Sequence, residues 1–176
     1  MDLLELMKQR RSVRSYTCEM VSEEDLNKIL MAGLLSASGR AIRPWEMIVV
    51  QSPDTLCKMA ESRDHGAKML EGAKAAVVVI ADETKTDVWT EDCSIVMANM
   101  HLMASSLGVG SCWIQGRLRK SAGEDSTEGY LRKLLGFPEN YRLEATLSLG
   151  MPEEIKEPAE VTKDLWEKVH REVYGS

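Results

Sequence analysis

Cysteine and histidine are scarce in this chain, and the shortage closes several lines of chemistry. The four cysteines, at 18, 57, 93 and 112, form no C-x-x-C pair and no metal-ligand spacing. They read as reduced, mostly buried thiols of a cytoplasmic protein. The three histidines, at 65, 101 and 170, are too scattered to compose a metal site. Neither H-E-x-x-H nor G-x-S-x-G occurs, so neither zinc-peptidase chemistry nor a hydrolase nucleophile elbow is indicated. Positive charge is also in deficit, with 22 Lys and Arg against 28 Asp and Glu. A net charge of -6 argues against a nucleic-acid or anionic-membrane binder, which needs a basic face to displace counterions. Residues 93 to 116 lack Asp, Glu, Lys and Arg altogether. Asn99, His101, Ser105, Ser106, Gly108 and Gly110 interrupt that run, so it reads as a buried helix leading into a buried strand, not a membrane span. His101 on that helix reads as a core residue with its polar atoms satisfied. The start, MDLLELMKQRR, places its charges after its apolar residues and is no signal peptide.

What is present suits one domain of 176 residues, long enough to bury a full core. Leu3, Leu4 and Met7 predict a short first helix. In VSEEDLNKILMAG, Ser22 is an N-cap with Asp25 three residues on, and Val21 and Leu26 occupy the staple positions. Runs rich in β-branched residues predict strands over 45–52 and 75–82, with a helix through Leu56 and Met59 between them. A long helix follows, with Asp92 as its expected cap and Gly108 at its end. It is apolar on nearly every side and belongs in the middle of the domain. Strands over 110–115 and 143–150 flank a helix over 126–136, stopped by Gly136 and Pro138. Alternating strands and helices of this kind favour a parallel sheet. From Met151 the chain turns polar, although Leu165, Trp166, Val169 and Val173 are spaced for one helical face. That arm has little to bury on its own domain and is expected to pack on a second copy of the chain. GVG at 108–110 follows a helix and is a cap and turn, not a dinucleotide fingerprint.

Against the acidic background, QRRSVRSY stands out: Lys8, Arg10, Arg11 and Arg14 gather around Ser12 and Ser15. Cations at a helix C-terminus are favoured by its dipole, which suffices for Lys8 and Arg10. Arg14 lies beyond any such end, and guanidinium forks beside a hydroxyl suit a phosphate. In a second stretch, SASGRAIRPWEMIVV, small residues permit close backbone approach while Arg40 and Arg43 add donors. Alone, it reads equally well as a helix exit with arginines in water.

Taken in order, RRSVRSY, SASGRAIRPWEMIVV, DCSIVMANMHLMASSLGVGSCWIQG and LSLGMPEE resemble the FMN-dependent nitroreductase family over about residues 3 to 155. The resemblance implies an α+β fold whose central sheet of four or five strands is mixed, mostly antiparallel and flanked by helices. It implies an FMN-binding domain over 1–150 and a C-terminal arm over 151–176, exchanged in a homodimer. It assigns Arg10, Ser12 and Arg14, with Arg11 among them, to the FMN phosphate and ribityl chain. Ser38, Pro44 and Trp45 agree with the second family motif, near which Arg40 also lies. Ala37, Ala41 and Arg43 stand where Pro, Asn and Gln are usual, and the extra charge at 43 is expected to raise the flavin potential. Gln115 and Gly116 are the implied main-chain donors at the flavin edge. No catalytic acid, base or metal is implied.

The implied reaction is a ping-pong transfer of hydride from NAD(P)H through FMN to small flat acceptors such as nitroaromatics or quinones. The short ETKTDVWTE loop speaks for an open site, with Trp89 either a stacking partner or a core anchor. Same-fold alternatives are dehalogenation, flavin fragmentation, dehydrogenation of a bound substrate, or a non-catalytic FMN carrier.

Overall fold

The Ser22 cap forms as its spacing predicts. In the computed structural model, which describes residues 2–123 and 125–175, Ser22 Oγ accepts the Asp25 N–H at 3.0 Å, with Val21 and Leu26 buried around it. The same local logic starts two more helices, where Ser52 accepts from Thr55 N–H and Ser126 from Gly129 N–H. The elements are α1 (Leu3–Gln9), α2 (Glu23–Leu34), β1 (Trp45–Val50), α3 (Pro53–Ala60), β2 (Ala75–Asp82) and α4 (Trp89–Ser106). They continue with β3 (Gly110–Gln115), α5 (Thr127–Leu135), β4 (Tyr141–Gly150) and α6 (Lys163–Trp166).

The four strands form one sheet in the order β1-β2-β4-β3, and each of its three pairings is antiparallel. This is the α+β architecture, and it overturns the parallel sheet that alternation alone favours. Strand β2 is buried at every position. Continuous apolar strands report that helices cover both faces of a sheet, and that holds here for an antiparallel one. On one face Val77, Val79, Leu147 and Leu149 pack against Leu26 and Ile29 of α2 and Val96, Met97 and Met100 of α4. On the other, Val78, Ile80 and Leu143 pack against Leu56 and Met59 of α3, Leu131 of α5 and Phe137. The central helix α4 also touches α1 and α2, as its apolar sides require.

Three expectations change. First, α4 starts at Trp89, one turn before Asp92, whose side chain serves a different segment. Second, among the described residues of the arm only Lys163–Trp166 is helical, a single turn without a side-chain cap, so Leu165, Trp166, Val169 and Val173 share no continuous helical face. The extended part of the arm lies on its own chain: Glu153 N–H donates to Ser15 O at 3.1 Å and Ala159 N–H to Lys8 O at 2.8 Å. Third, all four thiols are free, yet only Cys93 and Cys112 are buried, while Cys18 and Cys57 are exposed. Among the described residues no helix is long and apolar enough to cross a membrane.

Candidate functional site

The basic stretch is laid across the ends of β3 and β4. Val13 N–H donates to Ser111 O and Thr17 N–H to Met151 O, both at 2.9 Å, and Ser12 pairs with Ser111 in a parallel bridge. Such close approach requires glycine below: a Cβ on Gly110 would lie 2.9 Å from Val13 Cγ1, and one on Gly150 2.7 Å from the Tyr16 ring. An extended chain sends alternate side chains to opposite sides. Arg11 and Val13 line a cavity of about 430 Å³ with Val109, Pro152, Ile155 and Pro158, and Arg11 donates to the Glu157 carbonyl.

Arg10, Ser12 and Arg14 gather instead around Cys112. Burial pushes that thiol up, while Arg14, a hydrogen bond with Ser12, Lys156 and Arg10 pull against it. Lys156 reaches this point from the arm, donating to Ser12 O at 3.0 Å. Among the described residues none of these three cations forms an ion pair with a carboxylate. The structure therefore assembles a hydroxyl and three cations whose charge is left for an external anion. Behind them Arg10 Nη1 lies 2.9 Å from Nε2 of buried His101, whose Nδ1 lies 2.5 Å from Ser111 Oγ. Both imidazole nitrogens are thus partnered, as expected of a core histidine.

The second stretch forms a tight loop from Ser38 to Arg43 at the N-terminal end of α4. Ser38 Oγ accepts the Arg43 N–H at 2.9 Å, and Asp92 Oδ1 accepts the Gly39 N–H at 2.8 Å. Arg40, Ala41 and Arg43 all have left-handed backbones, with φ of 54°, 55° and 50°. Three non-glycine residues in that region within four positions represent stored strain of the kind that gathers at functional sites. Arg40 turns towards the short loop before α4, its Nη2 3.4 Å from both Thr86 Oγ1 and Asp87 Oδ1. Arg43 is exposed.

The β3 edge corrects one expected contact. Gly116 N–H and Arg117 N–H both donate to Glu144 O, at 3.1 and 2.9 Å, so the Gly116 amide is already engaged. Ser111 O points away from β4 to Val13, and antiparallel pairing alternates inward and outward groups. By that alternation Trp113 and Gln115 present their main-chain groups to the outer edge. The Gln115 side chain is held by Trp113 Nε1, 2.8 Å from its Oε1. Nearby, the Arg117 guanidinium stands 5.6 Å from the Trp89 ring centroid, and Trp89 also packs on the core.

Apart from Arg11, which faces the cavity, the sequence-derived residues thus fall into two groups. Arg10, Ser12 and Arg14 sit by Ser111 and His101; Ser38, Arg40 and Arg43, with Gln115 and Gly116, sit by the start of α4. Asp92 to His101 spans about 14 Å of helix and Ser111 to Gln115 about 13 Å of strand. Sequence reasoning missed Lys156, which nothing distinguishes within the charged arm, and Ser111 and Asp92 as site-building residues.

The model of the nitroreductase family matches residues 7–65 and 59–151. A relative from Archaeoglobus fulgidus, named "Putative NADH dehydrogenase/NAD(P)H nitroreductase", is 37% identical over 97% of this chain and 98% of its own. The NADPH-flavin oxidoreductase of Vibrio harveyi is 27% identical over 86% of this chain and 66% of its own. An FMN-dependent nitroreductase structure from Clostridium difficile R20291 superposes with a TM-score of 0.93 at 39% identity, covering 97% of this chain and 99% of that one.

Proposed function

This chain belongs to the nitroreductase family, and from that premise we propose that it is an FMN-dependent oxidoreductase with a homodimeric site. The observation that carries the cofactor assignment is the gathering of Arg10, Arg14 and Lys156, with Ser12, around Cys112 with no carboxylate partner among the described residues. A guanidinium and ammonium set with a hydroxyl fits a phosphomonoester. Residues 1–150 then form the FMN-binding domain and 151–176 its arm.

FMN held there by Arg10, Ser12, Arg14 and Lys156 would supply two-electron redox chemistry, linking NAD(P)H to nitroaromatics, quinones or similar flat acceptors in a ping-pong order. The chain's own work is binding and orientation. Arg10, Ser12, Arg14 and Lys156 hold the phosphate end, with Arg11 steadying the arm through Glu157. The outward N–H of Gln115 supplies a main-chain donor for the ring edge, and Gly116 serves by tying the turn to Glu144. Ser38 shapes the loop that presents Arg40 and Arg43. The short connection from Asp82 to Trp89 leaves no covering helix, which supports an open acceptor side.

The test is the visible spectrum of the purified protein before and after anaerobic addition of NADH or NADPH. Flavin bands that bleach are the expected result. Flavin that stays oxidised points to another same-fold reaction or a carrier, and no flavin after supplementation with FMN removes the assignment.

A further inference from the structure

We propose that His101 is a positioning residue for the cofactor site, its Nε2 accepting from Arg10 and so holding that guanidinium beside Ser12, Arg14 and Lys156. The inference rests on the assignment of Arg10 to the cofactor phosphate. The arrangement follows from hydrogen-bond chemistry. Arginine donates and never accepts, so the imidazole nitrogen 2.9 Å from Arg10 Nη1 must be the bare one. The proton then resides on Nδ1, where it is donated to Ser111 Oγ. Ser111 O also accepts the Val13 N–H, so one residue of β3 fixes the backbone of the basic stretch and, through His101, its leading arginine.

The imidazole takes one of the five guanidinium N–H groups and leaves the others for an anion. Burial, then the charge of Arg10, pushes His101 down to about 4, so it remains a neutral acceptor at neutral pH. Arg10 is the charged group that faces it; its other polar partner, Ser111, is neutral. A residue serving the core alone has no need of an arginine partner at the protein's anion site.

The experiment titrates the flavin-free full chain with FMN and with riboflavin, which lacks the phosphate, following quenching of flavin fluorescence. His101→Leu is expected to weaken FMN about tenfold, as for one lost hydrogen bond to a charged group, and to leave riboflavin unchanged. His101→Gln, which restores an acceptor, should stay within about threefold of the native chain for FMN, well short of that loss. Equal weakening of both flavins by His101→Leu, or no weakening of FMN, overturns the proposal while Arg10→Met still impairs FMN selectively. If Arg10→Met spares FMN, the phosphate assignment falls and the proposal with it. Should the leucine variant not fold, ¹⁵N shifts of His101 in the native chain decide: a protonated Nδ1 and bare Nε2 are expected, and protonation at Nε2 overturns the proposal.

Discussion

Arg43 stands exposed in a left-handed conformation, its N–H fixed by Ser38. A permanent positive charge near a flavin favours the reduced, more negative form. Arg43→Gln is therefore expected to lower the FMN midpoint potential by on the order of 30 mV, the two-electron equivalent of a tenfold change. Spectroelectrochemical titration of the holoprotein measures this, and an unchanged potential removes Arg43 from the flavin's surroundings. The arginines near residue 10 were legible because four cations within seven residues contradict an acidic chain. His101 gave no comparable signal. Its importance depends on which arginine reaches it across 91 positions, and no spacing rule covers that distance.

At the scale of elements, the basic stretch works as an added edge on β3 and β4, seated on two glycines. Gly150→Ala would set a Cβ 2.7 Å from two atoms of the Tyr16 ring. That ring cannot swing away freely, because its hydroxyl bonds Val13 O and Ser148 Oγ. The substitution should cost about 1–3 kcal/mol by overpacking. It should also weaken FMN binding by displacing residues 13–17. Urea unfolding and flavin titration check both effects, and a variant as stable as the parent would show that this seat tolerates bulk. The cap at Ser22 was readable because its side chain reaches only three residues ahead, and the structure repeats the same contact at Ser52 and Ser126. Asp92 looked like a cap for the same reason, but its Oδ1 is taken by Gly39, 53 positions away.

At the scale of the molecule, apolar side chains are exposed on several elements: Leu3, Leu4 and Met7 on α1, Met31 and Leu34 on α2, and Trp166 and Tyr174 in the arm. Surface of this extent suits a subunit interface. Light scattering of the purified chain at micromolar concentration should report a dimer. A monomer would remove both the dimer and the exchange of residues beyond Ala159, while the hydrogen bonds of 153–159 to their own chain would stand.

Local interactions were within the reach of the sequence by itself. Periodicity placed the helices, β-branched runs placed the strands, serine spacing placed the Ser22 cap, and the order of four motifs marked the family. Each of these is set within a few residues of chain, where covalent geometry limits the alternatives. The antiparallel course of a sheet covered on both faces required the tertiary structure. So did the use of the Gly116 amide by Glu144, the arrival of Lys156 beside Ser12 and the link from Arg10 through His101 to Ser111. Those contacts join residues far apart in the chain, and packing of the folded core decides which of many compatible partners meet.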